Sequence, residues 1–348
     1  MYTIIIPTHE RQNVLMRSIA YYKNFDCDII IADSSIKKYS SPLPSNVKYR
    51  HLPQLSFSRK ILEVSREVET SYVCLCADDD YLIQSSLVTG AKFLESEKDF
   101  VSVQGRYFKL ELVGQEVVFT QRYANNQSNY FIEEENYLTR IIKAYNPYMH
   151  HIYSMHRTDI FIKSFRSCAD VSRLLLVELA SIIVPMCYGK HRVLPILWMV
   201  RDSHQFGRPD SYQKAPPKKK YNSIFYYLQR CNHTIEEVDY FLASEESQMF
   251  NKNLSMSISD LISDRNESDE LLQKGLKSFV SDRVSRRTTD TLKMIIKAII
   301  PSWIINRRAS IKEMNFVKEN ANNGSLNDEL NKIKLSVLDF RACYEKKP

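Results

Sequence analysis

The chain has 348 residues, 44% of them hydrophobic and 26% charged, with a formal net charge of +7. That length holds one large domain or two ordinary ones with ample core, and the composition excludes a disordered chain. Seven cysteines without a CxxC pair suggest neither a disulfide framework nor a structural zinc site, which fits a reducing cytoplasm. The opening MYTIIIPTHE is too short in apolar residues, and lacks a basic leader, for a signal peptide; no apolar run is long enough to span a bilayer. The few glycines form neither GxGxxG nor GxxxxGK, so Walker and Rossmann phosphate loops are excluded by motif. Phosphates would have to be held by a metal and side chains.

In chain order, TIIIP at 3–7 predicts a buried strand stopped by Pro7. Val14, Leu15, Ser18, Ile19 and Tyr22 then recur at helical spacing. CDIIIADSS is a second apolar strand that ends in Asp33, and a polar connection over 39–53 follows. SFSRKILEVSREVE predicts a helix with Ile61, Leu62 and Val64 inward, and SYVCLC a third strand ending in Asp78, Asp79 and Asp80. Continuously apolar strands alternating with helices imply a parallel sheet covered on both faces. From 84 to about 160 the pattern is irregular, with strands in DFVSVQGRYFKLEL and QEVVFTQRY and a helix in EEENYLTRIIKAY. DVSRLLLVELASIIVPMCYG predicts a buried helix broken near Pro185, and HRVLPILWMV a strand leading to RDSHQFG. RPDSYQKAPPKKKYN, rich in proline and lysine, marks a boundary, after which the chain reads as helical to its end.

Thr8, Asp33 and Asp78 all fall at the carboxyl ends of predicted strands, where ligands of such sheets gather. Three adjacent carboxylates there suit Mg²⁺ or Mn²⁺, hard cations that take one or two carboxylates plus substrate phosphates. The plainer reading is a solvated turn. Alternation along a strand predicts Asp78 and Asp80 pointing together, with Asp79 opposite. Asp33 is either an Asx-turn residue or an acceptor for a base or ribose hydroxyl. Arg59 is either a helix-surface charge or a bidentate clamp on a diphosphate. Glu178, alone in LLLVELASII, is either salt-bridged to Arg173 or Lys190 or a general base whose pKa is raised by apolar surroundings. Arg201 and His204 end a strand aimed at the same region, and His150, His151, Tyr148 and Tyr153 either line an acceptor cleft or belong to the core.

The order of these features over residues 1–207 resembles the GT-A glycosyltransferases, in particular the inverting family 2. IIIPTHERQNVLMRSI is similar to that family's opening strand-turn-helix, DIIIADSS to its second strand, and FSRKILEVSREVETSYVCLCADDDYL to its arginine-to-DxD stretch. VELASIIVPMCYGKHRVL resembles its acidic element, reduced here to Glu178, and WMVRDSHQFG its closing arginine–histidine element with one extra residue.

The resemblance implies a GT-A catalytic domain at 1–207, a Rossmann-like αβα sandwich with a mostly parallel sheet. A linker at 208–222 and a helical region at 223–348 follow. It implies metal-dependent, inverting transfer of a sugar from a nucleotide donor, UDP first, to a carbohydrate or lipid-linked acceptor in bacterial surface polysaccharide synthesis. Thr8, Glu10, Asp33, Arg59, Asp78 and Arg201 would grip the donor, and Asp78, Asp79, Asp80 and His204 the metal. Glu178 would be the base, with Asp170 in reserve. Rival readings are a nucleotidyltransferase, against which the glycine-free PTHERQN counts, and an inactive sugar-binding module on the same fold. Residues 283–312 carry eight basic residues against Asp290 alone, a charge equal to that of the whole chain. Their interleaved Ile, Met and Trp303 suit an anionic membrane surface better than nucleic acid, and equally suit a helix packed on the catalytic domain with its basic residues solvated. A cytoplasmic protein is expected, peripheral to the inner face of the membrane in the first case.

Overall fold

The computed structural model describes residues 2–113, 116–121, 130–145, 149–169, 174–202 and 324–345. The linker, His204, the basic segment 283–312, Tyr148, Asp170 and Arg173 lie outside the described residues.

The first half alternates β1 (Tyr2–Thr8), α1 (Gln12–Tyr22), β2 (Asp28–Asp33), β3 (Val47–His51), α2 (Phe57–Ser65) and β4 (Tyr72–Leu75). A two-residue β5 (Tyr81–Leu82) and α3 (Gln84–Ser96) come next. They are followed by β6 (Phe100–Val113), β7 (Glu116–Gln121), β8 (Phe131–Ile132), α4 (Tyr137–Tyr145) and β9 (Met155–Arg157). α5 (Thr158–Ser167), α6 (Leu174–Tyr188) and β10 (Lys190–Asp202) complete the α/β part, and α7 (Gly324–Glu345) packs on it.

The strands form one sheet in the order β3-β2-β1-β4-β9-β6-β10-β5, with β7 on β6 and β8 on β10. β1, β2, β3 and β4 pair in parallel, as do β6 and β10. Both β4 and β6 are antiparallel to the short β9, so β1, β2, β3, β4, β6 and β10 all run one way, and the six-residue β7 runs against them. The expected α/β sandwich with a mostly parallel sheet is therefore present.

The two-residue period of a strand divides the isoleucines between two cores. Ile4, Ile6, Ile29 and Ile31 enter the cluster beneath Leu15 and Ile19 of α1 and Leu87 and Leu94 of α3. Ile5, Ile30, Val73 and Leu75 enter the opposite cluster with α2, α4, α5 and α6. Each side chain so buried contributes about 1.5–3 kcal/mol. A third cluster joins Tyr81, Ile83, Phe108, Leu110, Leu197 and Val200 to Ile333 and Val337 of α7. Among the described residues no helix is long and apolar enough to cross a membrane.

Three local expectations need correction. The polar connection over 39–53 contains β3, an edge strand on β2, whose pattern is one of half-buried polar residues. The irregular stretch after 84 opens with α3, a regular helix. α6 is not broken near Pro185 but runs through it to Tyr188, because apolar burial on the sheet outweighs the missing hydrogen bond.

Candidate active site

β1, β2, β4 and β10 deliver their carboxyl ends to one edge of the sheet. β4 stops at Leu75, and Ala77–Asp80 form a turn closed by the Asp80 amide on the Ala77 carbonyl at 3.1 Å. The turn is not solvated: Asp78, Asp79 and Asp80 are 4%, 8% and 2% exposed. Because it is a turn, strand alternation does not govern its side chains. Asp78 and Asp79 share one partner, and Asp80 faces another, so the expected pairing of Asp78 with Asp80 is replaced by pairing of Asp78 with Asp79.

That shared partner is Arg11. Its two terminal nitrogens donate to Asp78 Oδ1 at 2.7 Å and Asp79 Oδ2 at 2.8 Å. Thr8 Oγ1 donates to Asp78 Oδ2 at 2.7 Å, so the end of β1 is tied directly to the turn. Asp80 accepts from Arg201 Nε at 3.1 Å and from the Asp202 amide at 3.0 Å, which ties in the end of β10. Even so, burial pushes the Asp78 carboxyl up to about 6 and that of Asp80 up to about 7, because desolvation outweighs the neighbouring guanidinium in each case.

Behind the turn lies Lys60, a buried ammonium on the inner face of α2. It donates to the Thr8 carbonyl at 2.6 Å and Ser34 Oγ at 3.0 Å. Burial lowers it to about 8, against the pull of Asp78 and Asp33. Asp33 is fully buried, and its carboxylate accepts from the Ser35 amide at 2.8 Å and Tyr49 Oη at 2.6 Å. The Asx-turn geometry is thus present, and it fixes the loop that Glu10 meets from the other side. Glu10 has φ 53°, takes the Ile36 amide at 2.6 Å and gives its own amide to Ser35 Oγ at 2.7 Å. Arg59 is exposed in the first turn of α2, its amide capped by Ser56 Oγ at 3.3 Å.

On the far side, the Arg201 guanidinium lies 5.2 Å from the centroid of the Tyr153 ring. Tyr153 is half-buried, and burial raises the pKa of its hydroxyl against the opposing pull of Arg201, with smaller upward contributions from Asp80, Glu178 and Asp79. These acids therefore lie within electrostatic reach of one phenol. Glu178 Oε2 is 3.8 Å from His150 Nδ1. Lys190, its expected partner, instead binds Asp99 and Glu135. His151 belongs to the core, where its ring lies 4.2 Å from that of His191 and Tyr130 Oη is 2.8 Å from its Nε2.

Four residues of this edge were not singled out in the sequence: Arg11, Arg17, Lys60 and Asp202. Two carried a signal. Lys60 stands with Phe57, Ile61 and Val64 at helical spacing, and Arg17 with Val14, Ser18 and Tyr21, so both occupy inward positions. Among the described residues no three His, Cys, Asp or Glu side chains form a ready cage for a metal. The turn nevertheless offers hard carboxylate oxygens, and Arg11 holds two of them together as a cation would.

No protein-family model and no curated protein matches the chain. Among solved structures it is similar to a crystal structure of S. aureus TarS, at 13% identity and TM-score 0.43, over 74% of this chain and 43% of that one. It is similar also to S. aureus TarS 1–349 in complex with UDP-GlcNAc, at 13% identity and TM-score 0.43, over 83% of this chain and 92% of that one. The complex of TarS 1–349 with UDP matches at 12% identity and TM-score 0.41, over 83% of this chain and 91% of that one.

Proposed function

We propose that the chain transfers a sugar from a nucleotide donor, with a UDP-sugar the first to try, to a carbohydrate or lipid-linked acceptor. The observation that carries this reading is the convergence of Thr8, Asp33, the aspartate turn and Arg201 on one sheet edge, where Thr8 bonds Asp78, Ser34 next to Asp33 is tied to Thr8 directly and through Lys60, and Arg201 bonds Asp80. Asp33, Glu10 and the loop they brace would face the nucleoside, and Arg11, Arg59 and Arg201 the diphosphate. A guanidinium presents a planar fork to phosphate oxygens, which suits that task. Asp78 and Asp79, with Asp80 and His204, would hold Mg²⁺ or Mn²⁺ once Arg11 turns from the carboxylates to the diphosphate. The ion would offset the charge that grows on the departing nucleotide. Glu178 would take the proton of the acceptor hydroxyl, with Asp170 in reserve, and that hydroxyl would attack the anomeric carbon opposite the diphosphate in one inverting step. The reading extends to surface polysaccharide synthesis on the inner face of the membrane, through the charge of 283–312. Flotation with anionic liposomes that weakens with salt checks that last part, and equal binding to neutral vesicles contradicts it.

A screen of nucleotide sugars, read as released nucleoside diphosphate, tests the main reading. Turnover of at least one donor is expected; pyrophosphate released from nucleoside triphosphates, with no nucleotide sugar turned over, would favour a nucleotidyltransferase.

A further inference from the structure

The carbonyls of the aspartate turn and of the strand after it are held by side chains of α1. Arg17 donates to the Asp79 carbonyl at 3.2 Å, Tyr22 Oη to that of Asp80 at 3.3 Å, and Tyr21 Oη to that of Leu82 at 2.9 Å. The Leu82 amide returns a bond to Tyr22 Oη at 2.8 Å. Arg17 does more than the tyrosines. Its other terminal nitrogen donates to Asp202 Oδ2 at 2.9 Å, and the Asp202 amide in turn donates to the Asp80 carboxylate. One guanidinium thus grips both chain segments that set the position of Asp79 and Asp80.

Arg17 is itself held by α7. Its guanidinium lies 4.9 Å from the centroid of Phe340 and 5.3 Å from that of Tyr81. The Arg17 and Asp202 side chains are 3% and 0% exposed, so the pair is shielded from water and counter-ions. Glu329 of α7 fixes the start of α3 through the Ser85 amide at 3.2 Å and Ser85 Oγ at 2.6 Å. Beside this contact a cavity of about 580 Å³ opens between α1 and α7, bordered by Arg17, Tyr21, Phe25, Leu335 and Phe340. The Phe340 ring, next to that space, is the part of α7 that backs Arg17.

We propose that α7 is a working part of the candidate active site, in which Arg17, backed by the Phe340 ring, is a positioning residue that fixes the aspartate turn. The proposal rests on the reading of that turn as the donor-diphosphate site, but its physical core, control of the turn by α7, can be measured without any substrate. Arg17 touches no reacting atom. It acts through Asp202 and the Asp79 carbonyl.

The experiment compares wild type with Phe340→Ala, Phe340→Trp and Arg17→Lys. Hydrogen exchange at the Asp80 and Asp202 amides, both bonded within this network, is expected to quicken about tenfold in Phe340→Ala and Arg17→Lys. Lysine keeps the charge of Arg17 but lacks the fork that reaches two acceptors at once. Phe340→Trp keeps a ring over the guanidinium and should restore wild-type exchange. With a donor in hand, kcat/KM for that donor should fall about tenfold in the first two variants while acceptor KM stays unchanged. A lower melting temperature with unchanged exchange at Asp80 and Asp202 would overturn the proposal and leave α7 a packing element. If Phe340→Ala does not fold, Arg17→Lys decides alone. If wild type turns over no donor, the functional reading fails, and the exchange result still decides the role of α7.

Discussion

Asp78 shows how strongly one residue's surroundings can be constrained by charge. Its carboxylate is 4% exposed and sits among Arg11, Thr8, Asp79 and Lys60. A buried cation beside a buried anion adds little net stability, yet removing one partner leaves an uncompensated charge worth several kcal/mol. Such an arrangement persists more readily where the charges serve a ligand. Glu178 is the residue whose proposed role is easiest to isolate. Glu178→Gln keeps size and hydrogen bonding but cannot accept a proton, so kcat should fall by about 10²-fold while donor affinity barely changes. Steady-state kinetics with a donor from the screen check this; normal turnover, or a loss confined to donor affinity, would move the role to Asp170. The three aspartates and Glu178 were legible in the sequence because acids interrupting apolar runs stand out. Arg11 was not, because HERQN reads equally well as an ordinary helix start, and only the folded turn brings it to two carboxylates.

Whole elements were legible in proportion to their hydrophobic signal. β1, β2 and β4 are buried on both faces and read as apolar runs. β3 alternates between inside and outside at a sheet edge and hides among polar residues, and β9 is only three residues long, too short to show a period. α3 was missed because its first turn is QSS and its middle holds Gly90, both poor helix signals. Gly90 has a packing reason: a Cβ there would meet the Trp198 ring at 2.7 Å. Gly90→Ala should therefore destabilise the fold by about 1–3 kcal/mol, despite alanine's better helix propensity, as Trp198 is forced aside. Urea denaturation checks the sign, and a gain in stability would mean that the indole moves freely. The irregularity between α3 and α6 has a topological cause as well. There the chain leaves the alternating pattern to insert β9 antiparallel between β4 and β6, a long-range choice that no local spacing records.

Among the described residues, two sets of buried groups oppose each other in pH dependence. Burial lowers His151 to about 3 and His156 to about 4, and holds His191 well below its ordinary value. These three depressed values lie below the unfolded imidazole value of about 6.5, so the unfolded state alone binds protons as pH falls from 6.5 toward 4 and stability is lost. Asp78 and Asp80 act in the opposite sense. Their raised values of about 6 and about 7 mean that the folded state takes up protons over nearly the same range, and stability is gained. The two effects therefore oppose each other on acidification. In an Asp78→Asn, Asp80→Asn variant the offset disappears, and the loss of stability on acidification should become steeper. Chemical denaturation of both proteins at pH 6.5, 6 and 5 checks this, and equal slopes would show that the histidines or aspartates titrate elsewhere.

For the molecule as a whole, the proposed function places use of the nucleotide-sugar donor at the sheet edge closed by the aspartate turn. The most direct measurement is nucleoside diphosphate released from a turned-over donor by wild type and by Asp80→Asn, a nearly isosteric change at a residue 2% exposed. Release is expected to fall at least about 10²-fold in Asp80→Asn, with the cooperative unfolding transition retained, because the carboxylate that Arg201 and the Asp202 amide hold in place is gone. Wild-type release by a folded Asp80→Asn protein would contradict it and place the chemistry away from this turn.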